Sequence, residues 1–151
     1  MNQQHDDLLS GLIQLGCRVE AADAGALVSL PDDYDEFIFE RMGDWLYIGT
    51  TLLTPEEFED SPHLASLDRF LLVLQHRNLG CHFSYDAAGY LTLGTVLFPE
   101  QQQVNAVMQT MEHICFVIDV CLPFIDRVLD TGEIAEDEEV DKAFGISDRL
   151  H

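Results

Sequence analysis

The sequence predicts a single α+β domain, in which an antiparallel sheet packs against helices in the order α-β-β-β-α-β-β-α. Two observations lead to this fold class. Runs rich in β-branched and aromatic residues occur in two groups, and segments with apolar residues at helical spacing precede, separate and follow them. A length of 151 residues, 47% of them hydrophobic, is enough for one core and too little for two full domains.

A short first helix and three antiparallel strands are predicted in the N-terminal third. The helix covers His5–Leu15, where leucine and isoleucine recur at roughly helical spacing and Gly16 follows as a stop signal. After it the sequence changes to β-rich runs that are separated by short turn sequences. The predicted strands are 26–30, 36–41 and 45–52.

A single helical turn, a longer helix and a second hairpin follow. Thr54-Pro55-Glu56-Glu57 combines an N-cap, a proline and a capping-box glutamate, but the segment is brief. Ser61-Pro62 opens a firmer helix, in which leucines repeat at steps of three and four residues. Two alternating strands, 81–85 and 90–97, then flank a turn that ends at Gly89, so this hairpin is expected to have one buried face.

The last predicted helix begins at Val104, and its apolar face is unusually wide. Apolar residues alternate at steps of four and three as far as Leu129, and a second apolar row lies beside them. Pro123 removes one backbone hydrogen bond and should bend the helix. The domain is therefore expected to cover residues 1–130, with 131–151 as an acidic C-terminal tail that is mobile or loosely docked.

The charge balance excludes two classes of partner. The chain has 28 acidic and 7 basic residues and a formal net charge of -21, so no basic patch can be assembled for nucleic acid or for an anionic membrane surface. Nine phenylalanines distinguish it from a disordered acidic chain. The N-terminus lacks a basic signal-peptide region, and no apolar run reaches the roughly 20 residues that a bilayer requires. A cytoplasmic protein with reduced cysteines is predicted.

No catalytic, cofactor or metal site is predicted. The glycines form neither a dinucleotide-binding pattern nor a P-loop. Cys81, His82, His113 and Cys115 are the one candidate metal cluster, but they lack ligand spacing and Cys115 falls within an apolar helical row, which favours packing. Cys81 could also pair with His76 or His113 as a nucleophile. Only convergence of Cys81, His82 and His113 in a polar pocket would indicate an enzyme.

From Leu64 to Leu129 the sequence resembles the class I type III secretion chaperones of Gram-negative bacteria, the Tir-chaperone-like superfamily. The resemblance rests on the leucine-rich helix, the strand Cys81–Asp86, the return strand Gly89-Tyr90-Leu91-Thr92-Leu93 and the long apolar last helix. The element order, the size and the acidity agree with it. The acidic tail after Asp130 departs from the family pattern.

The resemblance implies a homodimeric cytoplasmic protein, without a cofactor, that holds an extended segment near the N-terminus of a secreted effector. Apolar grooves and an exposed sheet edge would hold this client by hydrophobic burial and main-chain pairing. The pattern assigns client contact to Phe37, Phe39, Trp45, Tyr47 and Ile48. It assigns dimerisation or a core role to Met111, Ile118, Leu122 and Ile125.

Two alternatives stay open from the sequence. The wide apolar face of the last helix is most simply covered by a second copy of the chain, but a monomer could also wrap it with the first helix and the sheet. The function could instead be that of a regulatory or stress-response protein of the same fold, which binds a folded protein partner.

Overall fold

An antiparallel sheet of six strands forms one layer of the molecule, in the order β1-β2-β3-β4-β6-β5. The structure is a computed structural model, and it describes residues 3–22, 25–33, 35–77 and 79–145. Every pair of neighbouring strands is antiparallel. The strands are β1 (Arg18–Ala22), β2 (Gly25–Ser29), β3 (Glu36–Met42), β4 (Trp45–Leu53), β5 (His82–Tyr85) and β6 (Leu91–Leu97).

Helices form the second layer, which confirms the predicted α+β class. Three of them, the first, the third and the long fourth, contact the sheet. The helices are α1 (Gln3–Gln14), α2 (Pro55–Phe58), α3 (Leu64–His76), α4 (Val104–Thr131) and α5 (Asp137–Ala143), and a short 3₁₀ turn at Pro99–Gln101 precedes α4. Within the capping box predicted at α2, the Thr54 backbone N–H donates to Glu57 Oε1 at 2.9 Å. Helix α4 continues through Pro123 and ends at Thr131, and its C-cap residue Gly132 has φ 75°.

The N-terminal half has four strands rather than the three predicted. The additional strand, β1, has the sequence RVEAA, which combines charged residues with alanines and carries little strand propensity of its own. Pairing with β2 stabilises this strand: Val19 lies opposite Val28 in the β1–β2 ladder, and Glu20 lies opposite Leu27. β1 is therefore an edge strand that is held by tertiary context.

The core lies between the sheet and the helices. On the sheet side, Phe37, Phe39, Leu46 and Ile48 are fully buried. On the helix side, a continuous row of α4 residues is fully buried, and each apolar side chain of this kind contributes about 1.5–3 kcal/mol by leaving water. The row is Val107, Met111, Ile114, Val117, Cys121, Ile125 and Val128.

Residues 133–145 fold back on α3 and α4. Arg77, the C-cap residue of α3, forms ion pairs with Asp137, at 3.0 Å, and with Asp141. Arg127 of α4 pairs with Glu139 at 2.8 Å and with Glu133 at 3.3 Å. Val140 is buried, so α5 is held both by an apolar contact and by ion pairs with the two arginines. Residues 146–151, the end of the predicted tail, lie outside the described residues.

Candidate protein-binding surfaces

The five residues predicted to contact a client lie on opposite faces of the sheet. Phe37, Phe39 and Ile48 point toward the helices and are 0% exposed, so a client cannot reach them in the folded chain. Trp45 and Tyr47 point the other way, because side chains alternate along a strand and the intervening Leu46 is buried. Phe37, Phe39 and Ile48 are therefore core residues, while Trp45 and Tyr47 lie at the surface, where client contact stays a prediction.

The four residues predicted for dimerisation or core are divided in a similar way. Met111 and Ile125 are fully buried, while Ile118 and Leu122 are partly buried against the core. Helix α4 contacts α1, α3 and the strands β4 and β6. Phe116, 47% exposed, is the large apolar side chain of α4 that stays at the surface among the described residues, and its ring contacts Phe144 at 6.0 Å between centroids.

One side of β6 is left without a strand partner at its C-terminal end. β6 has seven residues and β5 has four, and their pairing begins at Leu91 and stops at Gly94. On the other side β4 continues to pair as far as Leu97. Within the described parts of the chain, the outer side of Thr95–Leu97 is thus a free sheet edge, of the kind to which another strand can add.

The chain is turned away from this edge by a glycine and a histidine. Gly80 has φ 80°, a conformation that side chains rarely tolerate. The His113 Nε2–H of α4 donates to the carbonyl oxygen of Leu79 at 2.6 Å, which holds the segment before β5 against the helix. The strand β5 therefore starts too late to cover Thr95–Leu97.

A groove lies along this free edge, between β6 and the first turns of α4. Its volume is about 510 Å³, and we call it the β6-edge groove. Both polar and apolar side chains line it. The lining residues are Gly80, Thr95, Val96, Leu97, Glu100, Gln101, Ala106, Gln109, Thr110, His113 and Ile114.

Exposed apolar side chains mark the end of the same edge. Phe98 follows directly after β6, and its ring meets that of Trp45 edge-to-face at a centroid distance of 5.1 Å. Met42 is paired with Trp45 in the β3–β4 ladder. All three side chains are between 44% and 47% exposed, and such a group on a surface typically indicates an interaction site.

Sequence reasoning missed the β6-edge groove and Phe98. The predicted hairpin paired 81–85 with 90–97. The one sequence signal for a free edge was that the first of these strands is shorter than the second, so part of the second strand would lack a partner. The position of His113 against Leu79, 34 residues away, depends on tertiary packing.

Among the described residues, the cysteines and histidines considered for catalysis do not meet in the β6-edge groove. The β6-edge groove contains His113 but neither Cys81 nor His82. Burial raises the thiol pKa of Cys81 and of Cys115 to about 11, which keeps both protonated and weakly nucleophilic near neutral pH. In the part of the chain that the structure describes, no three His, Cys, Asp or Glu side chains come close enough to hold a metal ion.

Every helix in the described residues is too short or too polar to span a membrane.

Comparison with known proteins identifies the fold. No protein-family model matches the sequence, and no curated protein matches it significantly. Among solved structures, a chain of the HopA1-SchA chaperone-effector complex aligns with a TM-score of 0.55 and 17% identity, over 77% of this chain and 91% of that chain.

Two further structures agree with it. A chain of the heterodimeric ExoU-SpcU complex from the type III secretion system of Pseudomonas aeruginosa aligns with a TM-score of 0.55 and 21% identity, over 76% of this chain and 93% of that chain. A chain of the ExsC-ExsE complex aligns with a TM-score of 0.50 and 12% identity, over 83% and 97% of the two chains. The chain therefore has a type III secretion chaperone-like fold, as the sequence predicted.

Proposed function

We propose that the chain is a non-enzymatic binding protein that holds an extended segment of a secreted effector in the cytoplasm, as a type III secretion chaperone does. The observation that carries this proposal is the free edge of β6 at Thr95–Leu97, which opens into the β6-edge groove. The similar structures support it, since one is described as a chaperone-effector complex and another as part of a type III secretion system.

The client segment adds to β6 as a further antiparallel or parallel strand. Three residues of free edge offer only a few main-chain hydrogen bonds, each worth about 1 kcal/mol net, which is too little for a stable complex. Alternate side chains of the client must therefore bury apolar area in the β6-edge groove, where about 25 cal/mol is gained per Å². Trp45 and Phe98 extend this apolar surface beyond the end of the strand.

Amide hydrogen exchange tests this binding mode. The full chain is mixed with the N-terminal segment of a candidate effector, and exchange is followed along β6. We expect slower exchange at Thr95–Leu97 and little change at β1, the opposite sheet edge. The fluorescence of Trp45, the one tryptophan of the sequence, should shift to the blue as the ring is covered.

A matched pair of variants locates the client. Ala106 lines the β6-edge groove, so Ala106→Trp fills it and should abolish binding. Asn105 is exposed on the same helix and outside the groove, so Asn105→Trp should bind normally. Binding of a folded partner with unchanged exchange at Thr95–Leu97 would instead favour the regulatory alternative.

Dimerisation is part of the proposal, and the outer face of α3 is the surface that supports it. Leu72 and Val73 are 67% and 41% exposed, whereas the solvent-facing side of a helix normally carries polar residues. The double variant Leu72→Asp and Val73→Asp should convert the dimer to a monomer in light-scattering measurements. Ala65→Asp, on an exposed position of the same helix, is the control. A wild-type chain that is monomeric at all concentrations would contradict dimerisation.

A further inference from the structure

The face of the sheet that points away from the helices carries a second groove, distinct from the β6-edge groove. No helix in the described residues covers it. Its volume is about 610 Å³, within the range of sites that bind small groups and short peptide segments. We call it the outer-face groove, and its lining residues are Leu27, Asp35, Glu36, Ile38, Glu40, Tyr47, Gly49, Thr50, Thr51, Ser84, Asp86 and Thr92.

Tyr47 forms the floor of the outer-face groove. Gly49 and Gly94 lie opposite each other in the β4–β6 ladder, and a Cβ built on either would come within 2.7 Å of Tyr47 Cζ. The ring therefore lies over the two glycines, along the sheet, and its hydroxyl reaches Thr92 in a hydrogen bond. One face of the ring covers the glycines, and the other is available to a ligand.

The charges around this ring are all of one sign. Four carboxylates, Asp35, Glu36, Glu40 and Asp86, are among the described lining residues, and none of the others is basic. Burial raises the pKa of the Tyr47 phenol; its hydrogen bond with Thr92 opposes the rise, and the charges of Glu40 and Asp86 add to it. The field that disfavours a phenolate at this position favours a cation.

The arrangement suits a guanidinium better than a metal ion. In the described residues these carboxylates do not converge as a metal-binding cluster. They are distributed around an aromatic face, which matches a planar cation that stacks on a ring and donates hydrogen bonds from its edge. Leu27 and Ile38 add apolar surface beside the ring, which suits the aliphatic stem of the same side chain.

We propose that the outer-face groove docks an extended, arginine-bearing segment of a partner protein, with an arginine stacked on Tyr47 between Glu40 and Asp86. The surface is separate from the free edge of β6, so the inference holds whether or not the partner is a secreted effector. The partner class follows from charge complementarity and from the exposed ring face.

Labelled peptides test the proposal on the full chain. The probe is a ten-residue peptide of alternating arginine and serine, and its lysine counterpart is the comparison. Fluorescence anisotropy at about 150 mM salt, where the Debye length is about 8 Å, suppresses long-range attraction to the acidic surface. We expect the arginine peptide to bind at least threefold more tightly than the lysine peptide, and Thr95–Leu97 to keep its exchange rates.

Charge-matched variants separate the groove from the general acidity. Glu36→Gln with Glu40→Gln should weaken binding about tenfold, because two groove carboxylates are neutralised without a change in shape. Glu112→Gln with Glu138→Gln removes the same charge from exposed positions elsewhere and should change binding less than twofold. Equal losses in the two double variants would overturn the proposal.

The role of the ring is tested separately. Tyr47→Leu should weaken binding about fivefold, while Tyr47→Phe, which keeps the ring face, should bind like the wild type. Circular dichroism confirms that each variant is folded. An unaltered affinity in Tyr47→Leu, displacement of the peptide by equimolar spermidine, or dissociation of a dimer by the peptide would each contradict a peptide-docking face.

Discussion

The guanidinium of Arg41 donates a hydrogen bond from Nη1 to Oε1 of Gln102 at 2.6 Å, which joins β3 to the turn before α4. Gln102 is 3% exposed, and its Nε2 donates to the carbonyl oxygens of Asp44 and Leu97 at 2.8 and 3.1 Å. One amide side chain therefore connects the β3–β4 turn, the end of β6 and Arg41. These elements carry the exposed Trp45 and Phe98.

Replacing Gln102 should destabilise the fold strongly. Arg41 already has buried Nε and Nη2 atoms without a hydrogen-bond partner among the described residues. Gln102→Leu removes a further acceptor and leaves two carbonyl oxygens without their donor, so we expect a loss of about 2–4 kcal/mol in the free energy of unfolding. Urea denaturation measures it. Gln103→Leu, at an exposed neighbouring position, is the control, and equal effects would contradict this account.

The two arginines that hold α5 should contribute unequally. The side chain of Arg77 is 16% exposed and that of its partner Asp141 is 15% exposed, so Arg77→Met removes a close positive charge from a mostly buried carboxylate and should cost about 2–3 kcal/mol. The carboxylates paired with Arg127 are about half or more exposed, so Arg127→Met should have a much smaller effect. Proteolysis within 133–145 provides a local measurement. Equal susceptibility of the two variants would contradict the unequal contributions of the two arginines.

Alkaline pH should destabilise the fold through Cys121. This residue is 0% exposed, and burial raises its thiol pKa to about 12, with Cys81 adding to the rise and Arg77 opposing it. The unfolded thiol loses its proton near pH 9 while the folded one keeps it, so the unfolded state binds fewer protons between pH 9 and 12. The free energy of unfolding therefore falls with rising pH, by about 1.4 kcal/mol per unit for this group.

Urea titrations between pH 7.5 and 10.5 measure this dependence. Cys121→Ala creates a small cavity and lowers the stability at every pH, but it should also make the decline above pH 9 shallower. A slope that is the same in the variant and the wild type would rule out Cys121 as its source.

The sequence predicted the fold class better than the surfaces, and the reason is the difference between periodicity and register. Apolar alternation identified the strands around Phe37 and Ile48 as amphipathic. It did not establish which alternate set faces the helices, and Tyr47 and Ile48 were therefore assigned to one surface although neighbouring residues of a strand point to opposite faces.

The sequence also did not predict which elements pack against the apolar face of α4. The helical spacing correctly indicated an apolar face wider than one sheet would bury. Helix α5 folds back on this part of the molecule, but its single buried residue, Val140, gives no apolar pattern in the sequence. Ion pairs between Arg77 and two α5 carboxylates, 60 and 64 residues away, hold α5 in place. Contacts of this kind depend on where the chain returns, which local patterns do not specify.

The close approach of Tyr47 to two glycines gives the sharpest test of the outer-face groove. The three atoms nearest to a Cβ at Gly49 all belong to the Tyr47 side chain, with Cζ at 2.6 Å, whereas a Cβ at Gly94 would also come within 2.8 Å of the backbone carbonyl oxygen of Ile48. Gly49→Ala should therefore displace the ring and cost about 1–2 kcal/mol in the wild type, but almost nothing in a Tyr47→Ala background. Gly94→Ala should stay costly in both backgrounds, because the backbone cannot move aside as a side chain can. Urea unfolding of the six proteins gives the coupling energies. If Gly49→Ala costs the same with and without Tyr47, the ring does not lie over the glycine, and the stacking platform proposed for an arginine is absent.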